Sequence, residues 1–407
     1  MRVVTERIPT LKSVTVGIWV NTGSRDEQPA QAGYSHFIEH MFFKGTRSRS
    51  ATQISREIDG LGGEMNAFTT RETTTFYVKV LDQQLRQALA LLADLFHHSR
   101  FDSKEVEKEK QVVLEEIRMV QDDPEDLVQE LHTGQVLGRH PLGRSILGRE
   151  ETIQRLRRPD LLGYIDAHYD PCQIVIAIAG NFEQAAVERL VARFFAKRKL
   201  PKCLSRPVRR PPEVHGGVLV KRKPLEQVHL CLGLKGVAAG HRDRYAVYAL
   251  NSVLGGSMSS RLFQEVREKR GLAYSIYSFL SGYSDIGTIT VYAATRPKEV
   301  ERVVELVCRE IRRISEHGIE RKELDRAKNQ MKGSLMLSLE SSHSRMSKLA
   351  KDELIYGTRT SLEEMLMHID RVSVDQVSTV GRELFGMNHL AITGLGPLPA
   401  RALQGYR

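Results

Sequence analysis

The sequence predicts an α+β protein: two homologous α/β-sandwich domains, each a mainly antiparallel sheet packed with helices, joined by a basic linker. Three observations carry this. A strand-like alternation recurs after about 215 residues, a long helix recurs at nearly the same offset, and a proline-containing basic stretch separates the two copies.

In the first copy Val14, Val16, Ile18 and Val20 alternate with Thr15, Gly17 and Trp19, the period of a half-buried strand. Val228, Leu230, Leu232 and Leu234 repeat the pattern 214 residues later. Phe76 to Val80 reads as a further strand, and the helix after it gathers Leu85, Leu89, Leu92 and Phe96 on one face. Phe101-Asp102-Ser103-Lys104-Glu105 then opens a long charged helix. In the second copy, Thr288 to Ala293 precedes a helix bearing Val303, Val304, Val307 and Ile311. Gly318-Ile319-Glu320 opens the matching long helix, with Ile319 lying 218 residues beyond Phe101. Between the copies, Pro201, Pro207, Pro211, Pro212, Gly216 and Gly217 fall in a stretch without periodicity. The expected domains are therefore 1–196 and 224–407, with 197–223 as linker.

The formal charge of +10 invites a nucleic-acid or acidic-membrane partner. Ten basic side chains against one acid, Glu213, lie within 197–223, which leaves the two domains nearly neutral. A solvated hinge accounts for this pattern, so neither nucleic acid nor membrane is expected as a partner. No apolar run approaches the length of a membrane span; Ile174 to Ala179 is the longest candidate. Met1 to Glu6 leads at once into a strand-like pattern and lacks the apolar region of a targeting segment. Cys172, Cys203, Cys231 and Cys308 are widely spaced, with no C-x-x-C pair and no disulfide-like framework, which suits a reducing compartment. The expected location is cytoplasmic.

The chemistry concentrates in Gly33-Tyr34-Ser35-His36-Phe37-Ile38-Glu39-His40-Met41-Phe42-Phe43. On a helix, positions i, i+3 and i+4 share a face, so His36, Glu39 and His40 project together. Two imidazoles one turn apart can bind one Zn²⁺, with a carboxylate beside them to handle its water. The order H-x-x-E-H is that of an inverted zincin. A third ligand is wanted, and the long helix after Phe101 offers Glu105, Glu107, Glu109, Glu115 and Glu116. Glu115 and Glu116 point about 100° apart, so at most one of them reaches a metal; periodicity does not select between the candidates. The internal repeat supplies a control. At the offset of 214, His36, Glu39 and His40 fall on Leu250, Val253 and Leu254, and at 218 Glu116 falls on Ser334. The fold does not demand the polar cluster, which favours a functional reading.

From Gly23-Ser24-Arg25-Asp26-Glu27 through the second copy, and above all in Ser35-His36-Phe37-Ile38-Glu39-His40-Met41-Phe42-Phe43-Lys44-Gly45-Thr46, the chain resembles the pitrilysin-type zinc peptidases. Within them it is similar to the shorter bacterial members that are like the catalytic subunit of mitochondrial processing peptidase. The resemblance implies His36, His40 and Glu116 as ligands of one zinc per chain, since the family's glutamate ligand follows the second histidine by 76 positions. It implies Glu39 as general base and Glu109, two helical turns before Glu116, as a support of the site, whose physical role is to hydrogen-bond a ligating imidazole or to tune the field around the metal. Asn66, Ala67 and Phe68 resemble the family's substrate-binding edge strand, where an extended peptide pairs through its backbone; periodicity alone would make this an ordinary interior strand. Arg267 and Tyr274 look like the family's pair that holds the substrate backbone and the developing oxyanion. By composition alone the same string is a basic helix end, a Gly271 stop and a strand tyrosine.

The function implied is a zinc-dependent endopeptidase that cleaves unfolded or extended peptides in a closed chamber. Four such domains close a chamber in the family and this chain supplies two, so a homodimer is expected, or a heterodimer with a related chain. The competing reading is a non-catalytic scaffold subunit of the same fold.

Overall fold

The computed structural model describes residues 1–195 and 209–399 together with Leu403 and Gly405. Residue 196 and residues 197–208 of the expected linker lie outside this set. Among the described residues, ten strands form two five-stranded sheets.

The first sheet comprises β1 (Arg2–Arg7), β2 (Ser13–Val20), β3 (Glu64–Thr69), β4 (Thr74–Leu81) and β5 (Ile174–Gly180), in the order β1-β5-β2-β4-β3. The second comprises β6 (Gly217–Arg222), β7 (Val228–Gly236), β8 (Ala273–Gly282), β9 (Gly287–Thr295) and β10 (Ala391–Gly396), in the order β6-β10-β7-β9-β8. Position by position the two orders are the same. Each sheet has one parallel pair, β1 with β5 and β6 with β10, and is otherwise antiparallel. The duplication read from the alternating residues is thus a duplication of topology. One boundary differs: Gly217–Arg222, placed in the linker by its glycines, is a strand running alongside β10.

Two compact units result. One comprises Met1–Met119, Arg144–Val208 and Leu337–Arg359; the other comprises Val120–Gly143, Arg209–Met336 and Thr360–Arg407. The ranges 1–196 and 224–407 supply the body of each unit, and each range also gives a helix to the other. Helix Pro124–Leu137 starts where the Asp123 carboxylate accepts from the backbone N–H groups of Glu125 and Asp126, with Pro124 at its first position. It lays Leu127 and Val128 on Cys231, Tyr292, Ala294 and Leu395 of the second sheet. Helix Ser342–Lys351 does the same for the first sheet, packing Met346, Leu349 and Ala350 against Val4, Trp19, Val175 and Ala177. Trp19 Nε1 donates to Met346 Sδ at 3.1 Å. With helices on both faces, every residue of β5 and of β9 is buried.

The cysteine expectation changes at one position. Cys172 is disulfide-bonded, while Cys231 and Cys308 are free and buried. Sequence spacing gave no sign of this, because a disulfide requires closeness in space alone. No helix among the described residues is long and apolar enough to cross a membrane.

Candidate metal centre

The motif occupies helix Tyr34–Met41. Its inner face buries Phe37, Ile38 and Met41 in the first core, which leaves His36, Glu39 and His40 along the other side. Gly33 precedes the helix at φ +93°, and a Cβ there would lie 2.6 Å from the Leu147 carbonyl oxygen, so only glycine fits this approach.

Opposite the motif runs the long helix Ser103–Asp122. It buries Val106, Glu109, Val113 and Ile117 and turns Glu116 towards the imidazoles. Glu116 Oε2 lies 3.6 Å from His36 Nε2 and 3.6 Å from His40 Nε2. These separations are too long for hydrogen bonds, yet close to the roughly 3.3 Å between two atoms that each sit about 2.0–2.1 Å from a tetrahedral Zn²⁺. Glu116 Oε2 is buried and has no hydrogen-bond partner among the described residues. An orphaned carboxylate oxygen aimed between two imidazole nitrogens fits a cation. Among the described residues these three side chains form the one cluster able to hold a metal.

Glu109 is 3% exposed. Its Oε1 lies 2.8 Å from His40 Nδ1, and its Oε2 accepts from Lys44 Nζ at 2.6 Å. Burial alone would raise the Glu109 carboxyl, but hydrogen bonds from His40 and Lys44 outweigh it and hold the group below its usual range. An ionised Glu109 accepts a hydrogen bond from Nδ1–H, which fixes the His40 tautomer with the Nε2 lone pair facing Glu116. Burial and the neighbouring His40 hold His36 down to about 3, so its ring is neutral and able to ligate.

Glu39 sits on the same helix face. Thr69, the last residue of β3, donates from Oγ1 to Glu39 Oε2 at 2.5 Å. Burial raises the Glu39 carboxyl above its ordinary value, with the Thr69 hydrogen bond opposing the shift. The strand that ends at Thr69 is the sheet edge: β3 pairs with β4 on one side, and Asn66, Ala67 and Phe68 lie along it.

Arg267 and Tyr274 belong to the second unit. Arg267 is the penultimate residue of the short helix Phe263–Glu268, and Tyr274 is the second residue of β8 at 78% exposure. The Arg267 guanidinium lies 4.7 Å from the ring centroids of both Phe263 and Tyr274. Gly271 between them has φ +58°, the left-handed stop expected at a helix end.

Sequence reasoning did not single out Lys44, Thr69 or Glu27 as supports of this site. Glu27 is 4% exposed; its Oε1 accepts from Ser35 N at 2.7 Å and its Oε2 from Gly33 N at 2.9 Å. Burial pushes its carboxyl up to about 8, against the pull of those two backbone donors. In the second unit, helix Arg244–Leu254 offers buried Leu250, Val253 and Leu254 where the motif would stand.

The duplicated two-sheet fold thus carries a His-His-Glu cluster able to hold a metal in its first half, and comparison with known proteins gives its family. Residues 2–150 match the model of insulinase, peptidase family M16, and residues 155–331 match that of the peptidase M16 inactive domain. The chain belongs to peptidase family M16. It is 45% identical to the uncharacterized zinc protease YmxG of Bacillus subtilis, over 95% of this chain and 93% of that protein. It is 42% identical to an uncharacterized zinc protease of Streptomyces coelicolor, over 98% of this chain and 88% of that one. A crystal structure from Pseudomonas fluorescens, described as a peptidase M16 inactive domain, shares the fold. Its TM-score is 0.89 at 23% identity, over 98% of this chain and 96% of that one.

Proposed function

We propose that this chain is a zinc-dependent endopeptidase acting on extended or unfolded peptides. The observation that carries the reading is the convergence of His36 Nε2 and His40 Nε2 on Glu116 Oε2, each at 3.6 Å. His36, His40 and Glu116 would hold one zinc per chain, and Glu109 orients His40. Zinc bound there supplies Lewis acidity and activates a water near neutral pH.

The protein's own groups do the rest. Glu39 accepts the proton as water attacks the peptide carbonyl and then delivers it to the leaving amine, a role that suits a carboxyl whose affinity for protons burial has raised. The open edge of β3 offers backbone donors and acceptors at Asn66, Ala67 and Phe68 to an extended chain, so binding depends little on peptide sequence. Arg267 engages the substrate backbone, and the exposed Tyr274 phenol stabilises the oxyanion. A closed chamber requires four domains, so the active species is a homodimer, or a heterodimer with a related chain. A species that is monomeric in light scattering yet active at the same dilution would contradict this part.

A cytoplasmic location meets one contrary observation, the disulfide at Cys172, because reducing compartments keep thiols apart. Mass spectrometry of protein alkylated in intact cells separates the two cases.

The activity is tested with two variants on a quenched fluorogenic peptide. Glu39→Gln is expected to retain zinc and lose cleavage by at least about a hundredfold, the scale of general-base catalysis. His40→Ala loses both zinc and cleavage. Full activity in purified, zinc-replete Glu39→Gln protein would sink the assignment.

A further inference from the structure

Helix Tyr34–Met41 is only eight residues long, yet it carries two proposed ligands and the proposed base. Its N-cap residue is Gly33, whose hydrogen side chain can accept nothing, so the first-turn N–H groups need an acceptor from elsewhere. Glu27, six residues upstream, supplies it. One carboxylate oxygen takes Gly33 N at 2.9 Å and the other takes Ser35 N at 2.7 Å, the residue immediately before His36.

Glu27 is itself held. Its backbone carbonyl oxygen accepts from Arg144 Nη1 at 2.7 Å. The loop before it is sewn to the turn between β3 and β4: Ser24 N donates to Thr70 O at 3.3 Å, and Arg25 N to Arg71 O at 2.8 Å. The buried Arg25 side chain pairs with Glu72 at 2.7 Å. That turn directly follows Thr69, which holds Glu39. Glu27 therefore ties the start of the motif helix to a loop that is itself bonded, through Ser24 and Arg25, to the turn after the edge strand.

We infer that Glu27 is a positioning residue: by clamping Gly33 and Ser35 it fixes the placement of His36, Glu39 and His40 relative to Glu116 and to the edge strand. The inference rests on the zinc-peptidase reading above. The physical ground is that Glu116 sits on a different helix. The three donor atoms converge only while the short helix neither slides nor tilts, and small misplacements in such constellations are costly.

The test uses the full-length chain with Glu27→Gln, whose single carbonyl oxygen leaves one of the two N–H groups facing an amide NH₂. Three quantities are read: the zinc dissociation constant by competition with a chromophoric chelator, kcat and KM on a fluorogenic unstructured peptide at saturating zinc, and the melting temperature. Loss of one of the two buried hydrogen bonds to the helix start predicts zinc binding weakened about tenfold and kcat lowered about tenfold, with KM unchanged within about twofold. A melting temperature that falls while zinc affinity and kcat stay at wild-type values would overturn the inference, since that is the signature of a residue that only stabilises the fold. If Glu27→Gln does not yield folded protein, Glu27→Asp, which keeps the carboxyl but shortens the reach by one methylene, is read by the same criteria. Wild-type protein that binds no zinc would instead sink the underlying peptidase reading, and this inference with it.

Discussion

A single step along one helix separates a surface glutamate from a proposed metal ligand. Glu115 is exposed and pairs with Arg118 at 2.9 Å, while Glu116, rotated by about 100°, turns Oε2 to both imidazoles. Glu116→Gln is therefore expected to lose bound zinc on dialysis, whereas Glu115→Gln retains it at one per chain; elemental analysis of the two variants decides. Equal retention would remove Glu116 from the ligand set. The triplet His36, Glu39 and His40 was legible in the sequence because i, i+3 and i+4 share a helix face whatever surrounds the helix. Glu116 was not legible from spacing, since its selection depends on how two helices pack, and it entered through family resemblance. The contacts of Glu109 with Lys44, of Thr69 with Glu39 and of Glu27 with Ser35 join residues between 8 and 65 positions apart. No periodicity encodes such meetings.

Among elements, β2 and β7 were readable because their alternation survives in both copies, and the long helices because each opens after a recognisable turn. β6 was missed: Gly216 and Gly217 read as a hinge, and six residues are too few to assert a period against them. What the sequence could not say is which sheet each amphipathic helix covers. Helix Pro124–Leu137 seats its buried His132 on β7, with Nδ1 bonded to Thr393 Oγ1 at 2.8 Å. A Cβ on Gly233 of β7 would come within 2.1 Å of His132 Nε2. The ring is pinned by its hydrogen bond and cannot retreat, so Gly233→Ala is expected to destabilise the protein by about 2–3 kcal/mol. Gly163 is its opposite, exposed within helix Arg158–His168 with nothing within 4 Å of an added Cβ. Gly163→Ala should stabilise by about 0.5–1 kcal/mol through helix propensity and a less free unfolded chain. Urea midpoints of the two variants should move in opposite directions. Midpoints that move together would show that the seat of His132 is not tight.

For the whole molecule, the duplication is not a pair of beads. Residues 120–143 belong to the second unit and residues 337–359 to the first. A chain divided between residues 208 and 209 therefore yields two incomplete pieces. The fragment 1–208 lacks helix Ser342–Lys351, so Val4, Trp19, Val175, Ala177 and Ala179 lose Met346, Leu349 and Ala350 from one face of their sheet. The fragment 209–407 lacks helix Pro124–Leu137 and uncovers Cys231, Tyr292, Ala294 and Leu395. Bare apolar sheet faces of this kind drive association. Each fragment alone is expected to bind a hydrophobic dye and aggregate, and co-expression is expected to return a soluble complex containing both. Two independently folding domains would behave otherwise: 1–208 would be monomeric in size-exclusion chromatography with a cooperative urea transition of its own, and that result would show the helix exchange to be dispensable. The same exchange bears on the proposed catalysis. The edge strand beside the motif belongs to the sheet that helix Ser342–Lys351 covers, with Phe68 and Tyr77 packed against that same cluster, so a first half without this helix lacks a support of the proposed site. Zinc titration of 1–208 should accordingly be weak, and should recover when 209–407 is co-expressed.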